Sequence, residues 1–229
     1  MRQFFGFFAA TASFVFPNAC ICCGEVGRAL CFECQQSFSP AQLRCLACGR
    51  YNPFGLYCAS CKRKHWPDRV VACFAYNSPV KELLHQFKYE DVFLLYKPLA
   101  KQLASRIFQI RNYQQFAVTF IPLSSNRYRW RGYNQAELLA REAAATCRLP
   151  VVDTLRRSRF YESQVKSQTK RSRKQNVKGA FEIKEKASVP KKVILIDDIV
   201  TTGATVEEAT RVLKRAGVKE VIVIAVAMS

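Results

Sequence analysis

Eight of the 11 cysteines fall into four Cys-x-x-Cys pairs: Cys20/Cys23, Cys31/Cys34, Cys45/Cys48 and Cys58/Cys61. A two-residue gap lets both thiolates of one turn face a single metal, and two such knuckles complete a tetrahedral Zn²⁺ shell. Eight ligands therefore make two structural zinc sites. Sequential pairing leaves seven and nine residues between the knuckles and gives two short ribbons. Interleaved pairing satisfies the same count with longer loops, and a disulfide framework would use the same residues in an oxidising compartment. Cys22 sits between the two ligands of the first pair as a competitor. Cys73 and Cys147 fall on apolar stretches and read as buried thiols.

A second chemistry lies near the far end of the chain. Residues 193–205 read V-I-L-I-D-D-I-V-T-T-G-A-T. An apolar strand carries Asp197 and Asp198 to its carboxyl end, where open α/β sheets bind ligands. Thr201, Thr202, Gly203, Ala204 and Thr205 then turn into a helix, and their N–H groups with the helix N-terminus make an anion cradle. The acids repel phosphate but suit ribose hydroxyls, or a Mg²⁺ ion shared with pyrophosphate. A ribose 5-phosphate fits this division, phosphate on the loop and sugar diol on the acids.

A third set is basic and aromatic. Residues 121–137 (IPLSSNRYRWRGYNQAE) place Arg127, Arg129 and Arg131 around Tyr128, Trp130 and Tyr133, a composition that tracks phosphates and stacks bases of single strands. A second basic cluster, residues 166–178 (KSQTKRSRKQNVK), holds Lys170, Arg171, Arg173 and Lys174. Its alternatives are a solvated loop and a lid over a phosphorylated ligand. The whole chain carries 36 Lys and Arg against 17 Asp and Glu, a net charge of +19, so its natural partners are polyanions.

These groups need elements to hold them. Residues 192–196 (KVILI) read as the strand before the acids, 205–216 as the helix behind the loop, and 220–227 (EVIVIAVA) as the next strand. Strand, helix and fully apolar strand form a βαβ unit, so the sheet is parallel and covered by helices on both faces. Upstream, residues 69–76 and 116–121 read as buried strands, 151–154 as a short one, and 79–89, 93–110 and 134–147 as helices. Residues 121–134 and 156–178 read as irregular loops. The composition divides the chain into an apolar segment (1–19), a cysteine-rich module (20–66) and an α/β domain (67–229), with residues 62–68 as linker. A module of about 45 residues is too small for its own core, so metal would supply its folding energy. Residues 4–16 are apolar but too short to span a bilayer and lack a small-x-small cleavage pattern. They read as a short amphipathic helix lying on the protein, or as a peripheral membrane contact.

The Asp-Asp loop resembles the phosphoribosyl pyrophosphate signature of type I phosphoribosyltransferases: four apolar residues, two acids, two apolar residues, then Thr-Thr-Gly-x-Thr. Joined to the cysteine pairs, to Arg131-Gly132-Tyr133-Asn134-Gln135-Ala136-Glu137, and to Gln164, Arg173, Asn176 and Phe181, it closely resembles the ComF/GntX proteins over nearly the whole chain. Two departures stand out. Phe120 replaces a proline two positions before Pro122, and the stretch 164–176 is one residue longer and more basic. The resemblance implies a type I phosphoribosyltransferase-like α/β fold preceded by a double zinc ribbon. It also implies a cytoplasmic protein that handles incoming single-stranded DNA in natural transformation, close to the inner-membrane channel and other competence proteins.

On this reading Asp197 and Asp198 hold the ribose of phosphoribosyl pyrophosphate, residues 201–205 its 5-phosphate, and Ser124 and Ser125 approach its pyrophosphate, with Mg²⁺ accompanying the ligand. Arg127, Arg129, Trp130, Arg131 and the 166–178 cluster carry DNA. Two other readings use the same residues. One is an active phosphoribosyltransferase acting on a base or amine, for which residues 69–118 offer no recognisable base-reading side chains. The other is a zinc-ribbon regulator that binds duplex DNA.

Overall fold

The computed structural model describes residues 19–89, 93–158 and 177–229. Residues 4–16 and the cluster members Lys170, Arg171, Arg173 and Lys174 lie outside the described residues. In chain order the strands are β1 (Arg69–Ala75), β2 (Ala117–Phe120), β3 (Leu155–Arg157), β4 (Phe181–Ile183), β5 (Lys192–Val200) and β6 (Glu220–Met228). The helices are α1 (Phe32–Gln36), α2 (Ser78–Tyr89), α3 (Tyr96–Phe108), α4 (Ser125–Arg131), α5 (Gln135–Cys147) and α6 (Ala204–Arg215).

β1, β6, β5 and β2 lie side by side in that order, all parallel. Their apolar runs follow from this position, because a parallel strand covered on both faces needs apolar side chains at every position. Alternation sorts them by face. Ile194, Ile196, Ile222 and Ile224 point to one side with α2, α3 and α5. Val193, Leu195, Val221 and Val223 point to the other side with α6. The alanine stripe of α5 (Ala136, Ala140, Ala143, Ala144) lets it pack closely on Leu99, Leu103 and Ile107 of α3. The parallel sheet with helices on both faces is as the sequence predicts.

The cysteine-rich module lies along the β1 edge. Pro40 forms an antiparallel bridge with Phe74, and the main chain of residues 39–41 bonds to Cys73 and Ala75. Further along, Val70 N–H donates to the Gly55 carbonyl at 2.8 Å. A Cβ on Gly55 would stand 2.0 Å from the Val70 carbonyl oxygen, so no larger residue fits.

Two local expectations need correction. Residues 121–134 are not irregular: they contain α4, closed by Gly132 in the left-handed conformation (φ 73°), whose N–H donates to the Tyr128 carbonyl at 2.8 Å. Residues 151–154 contribute a single bridge, Val151 to Val118, and the strand proper is β3, paired antiparallel with β4. Arg156 and Arg157 therefore belong to a strand rather than to a loop, and the buried side chains of Leu155 and Phe181 anchor the pair. Among the described residues, no helix is long and apolar enough to cross a membrane.

Candidate functional site

β5 runs past the apolar stretch and delivers both acids to the carboxyl edge of the sheet. Asp197 is 8% exposed, and its Oδ1 accepts the Asp198 N–H at 2.9 Å. Burial, reinforced by the Asp198 charge, pushes the Asp197 carboxyl up to about 8, against the opposing pull of that N–H, Lys88 and Arg157. Beyond the acids, Thr201 and Thr202 are exposed. Gly203 caps α6 in the left-handed region at φ 81°, a conformation that spares glycine the usual Cβ strain. The Thr202 hydroxyl accepts from Ala204 N–H at 3.4 Å, satisfying one free donor at the start of α6. Asp197 and residues 199–206 enclose a cavity of about 30 Å³. The loop is thus a shallow cradle of donors beside two acids.

Because β2 pairs in parallel with β5, its carboxyl end opens on the same edge. Ser124 stands at the N-cap position of α4 without a side-chain capping bond, and Ser125 begins the helix. Both serines and both acids therefore share one edge.

The Arg131-to-Glu137 motif has a mainly structural role. Asn134 caps α5 by accepting from Ala136 N–H at 3.1 Å and donates to the Ile121 carbonyl at 3.0 Å. The Tyr133 hydroxyl donates to the Phe87 carbonyl at 2.7 Å, filling an acceptor left open at the end of α2. The Arg131 guanidinium lies 4.6 Å over the Tyr89 ring and bonds Gln135 at 3.3 Å. Arg131 is thus engaged within the protein, whereas Arg127 and Arg129 are exposed, Arg129 donating to Asn126 Oδ1 at 2.6 Å on the same helix. Trp130 is 68% exposed and packs on Tyr89, at the end of α2, with ring centroids 5.5 Å apart.

One contact escaped the sequence entirely. Lys88, in the last turn of α2, places its Nζ 2.6 Å from Asp198 Oδ2, with both side chains mostly buried. A lone lysine at a helix end carries no mark of a partner 110 positions away.

The cysteines converge in two quartets, Cys20/Cys23/Cys31/Cys34 and Cys45/Cys48/Cys58/Cys61, with the ligand atoms of each within 4.8 Å of one another. Cys23 and Cys31 sulfurs are 3.6 Å apart and Cys48 and Cys58 sulfurs 3.7 Å. A zinc tetrahedron with bonds of about 2.3 Å has edges of about 3.8 Å, so the spacing fits the metal. The sequential pairing is the one the sulfurs adopt, Cys22 lies outside both quartets, and all 11 cysteines are free of disulfides. Burial opposes ionisation of Cys20 and Cys45. Backbone N–H groups outweigh it and lower both thiols to about 6. Cys34, Cys58 and Cys61 rise, chiefly through bonds to neighbouring thiols. A cation at the centre would relieve that crowding. Cys73 and Cys147 are buried, and burial pushes them up to about 12 and about 11.

The surroundings of the second quartet touch the loop before α6. Leu46, inside the third Cys-x-x-Cys pair, packs so closely that a Cβ on Gly203 would stand 2.6 Å from its Cδ1. The Tyr57 hydroxyl donates to Glu207 Oε1 at 2.9 Å in the first turn of α6, and its ring packs on Trp66 at 4.9 Å.

Residues 98–228 match the phosphoribosyl transferase domain family. The chain is 33% identical over 198 residues to competence protein ComFC of Streptococcus pneumoniae, covering 84% of each chain. It is 28% identical over 201 residues to competence protein F of Haemophilus influenzae, covering 84% of this chain and 87% of that one. With DNA utilization protein YhgH of Salmonella typhimurium it shares 30% identity over 205 residues, 86% of this chain and 85% of that one.

Proposed function

From a chain that belongs to the ComF family and carries a phosphoribosyl transferase domain, we propose a DNA-uptake protein that binds phosphoribosyl pyrophosphate and handles incoming single-stranded DNA in the cytoplasm. The observation that carries this reading is the shared carboxyl edge: two acids on β5, a donor-rich loop capped by Gly203, and Ser124 and Ser125 at the end of β2. Asp197 and Asp198 take the ribose diol, Thr201 to Thr205 the 5-phosphate, and Ser124 and Ser125 the pyrophosphate, which arrives with Mg²⁺. Two structural Zn²⁺ ions sit in the cysteine quartets and hold the small module together.

Beside this edge, exposed Arg127, Arg129 and Trp130 offer cations and a π-face to a strand, and the chain's charge of +19 adds long-range attraction. In the same reading Lys170, Arg171, Arg173 and Lys174 also carry DNA phosphates, with the inner-membrane competence machinery as neighbour.

Calorimetric titration with phosphoribosyl pyrophosphate and Mg²⁺ tests the ligand. Wild type should bind, and Asp198→Ala should lose binding while keeping its circular dichroism spectrum; retained binding sinks the assignment. Release of pyrophosphate in the presence of a base or amine would instead make the protein a transferase.

A further inference from the structure

We propose that Lys88 is a ligand-binding residue of this site, its ammonium receiving the anomeric pyrophosphate of a phosphoribosyl ligand whose 5-phosphate lies on residues 201–205. The inference rests on the sugar-phosphate reading of the β5 edge and adds a residue from a different element.

The first support is placement. In phosphoribosyl pyrophosphate, an α anomer, the C1 pyrophosphate and the C5 phosphate arm leave opposite faces of the furanose ring. The loop before α6 holds one side. Lys88 meets Asp198 from α2, which is no part of that loop.

The second is charge. A pyrophosphate brought beside two neighbouring carboxylates is repelled unless a cation stands between them. Lys88 already neutralises Asp198 at 2.6 Å. An ammonium has three donors, so it can keep one bond to Asp198 while offering others to phosphate oxygens.

The third is the construction that holds it. The carbonyl of Phe87, itself fully buried, accepts from the Tyr133 hydroxyl at 2.7 Å. The ring of Tyr89, though 46% exposed, contacts Arg131 at 4.6 Å and Trp130 at 5.5 Å. The residues on both sides of Lys88 are thus pinned by Trp130, Arg131 and Tyr133. A cation aimed at a ligand gains from such pinning, because little rotamer freedom is left to lose on binding.

The test titrates the full chain with phosphoribosyl pyrophosphate and, separately, with ribose 5-phosphate, in wild type, Lys88→Met and Lys88→Arg. Lys88→Met should weaken phosphoribosyl pyrophosphate about tenfold or more and leave ribose 5-phosphate within about twofold, with Lys88→Arg recovering most of the loss. Equal losses for both probes would reduce Lys88 to a support for Asp198 and overturn the proposal, as would an unchanged affinity for phosphoribosyl pyrophosphate. Wild type that binds ribose 5-phosphate alone keeps the sugar-phosphate site and removes the role of Lys88. Wild type that binds neither removes both.

Discussion

The first cysteine quartet and the second share four thiol ligands, the Cys-x-x-Cys knuckle and sulfur geometry, yet they pack on opposite faces of the sheet. Cys20 and Cys31 of the first join Leu30 and Phe38 in the core face shared with α2, α3 and α5, and Gln35 bonds the Pro98 carbonyl of α3. Cys45 of the second joins the face shared with α6, and its surroundings reach the loop before α6 and that helix's first turn through Leu46 against Gly203 and Tyr57 against Glu207. Arg44 of the same region also donates to the Ser229 carbonyl beyond β6. One module therefore performs two tasks. Its first half is tied to the body of the domain, and its second half packs on the loop before α6.

A matched pair of ligand substitutions breaks this comparison most forcefully. On the zinc reading, Cys34→Ser and Cys61→Ser should each lose about one zinc per chain and lower thermal stability, because a structural metal supplies folding energy to so small a module. Only Cys61→Ser should also weaken phosphoribosyl pyrophosphate, by about tenfold or more, as the loop support loosens. Metal analysis, melting curves and calorimetry on both variants decide it; equal losses of ligand affinity would erase the distinction.

A middle-sized effect sharpens the contact itself. Gly203→Ala should destabilise by about 1–2 kcal/mol from its left-handed backbone alone, with an added clash against Leu46. In a Leu46→Ala background the clash part should vanish and the backbone part persist, which a double-mutant cycle in denaturant measures. Additive losses would mean that Leu46 and Gly203 are not coupled.

The smallest effect belongs to Tyr57→Phe, which removes the hydrogen bond to Glu207. A loss of about 1 kcal/mol in denaturant stability is expected, with ligand affinity falling less than in Cys61→Ser. Burial pushes the Glu207 carboxyl up and the Tyr57 bond lowers it again. The variant should therefore raise the Glu207 pKa further, a change that carboxyl NMR can follow.

Much of this was legible from residue order. Cysteine pairs, the Asp-Asp loop and the two C-terminal strands are local patterns, in which the chemistry and the element that carries it lie within a few residues. Sequential zinc pairing was the shorter-loop alternative, and the sulfurs adopt it. What stayed hidden depends on registers between distant segments. Lys88 meets Asp198, Tyr133 meets Phe87, and Tyr57 meets Glu207 across separations that no periodicity encodes. Helix α4 was hidden for a different reason: its run of arginine, tyrosine and tryptophan has no apolar face of helical period, and its signal was the closing Gly132. The motif of Arg131 to Glu137 was visible as a motif, while its main task, pinning the end of α2 and capping α5, emerged only from contacts.

The cover over β1 has a consequence for the protein outside the cell's resting state. Edge strands with free N–H and C=O groups are templates for other chains, and nature blunts them with a loop or helix. Here the blunting strip is the stretch between the quartets together with Gly55, all of it within the cysteine-rich module. Demetallation would therefore do more than soften a small module: it would bare an apolar parallel strand to its neighbours. Under zinc starvation or thiol oxidation the expected failure is clumping of chains along that edge, at a concentration threshold, before the sheet itself melts.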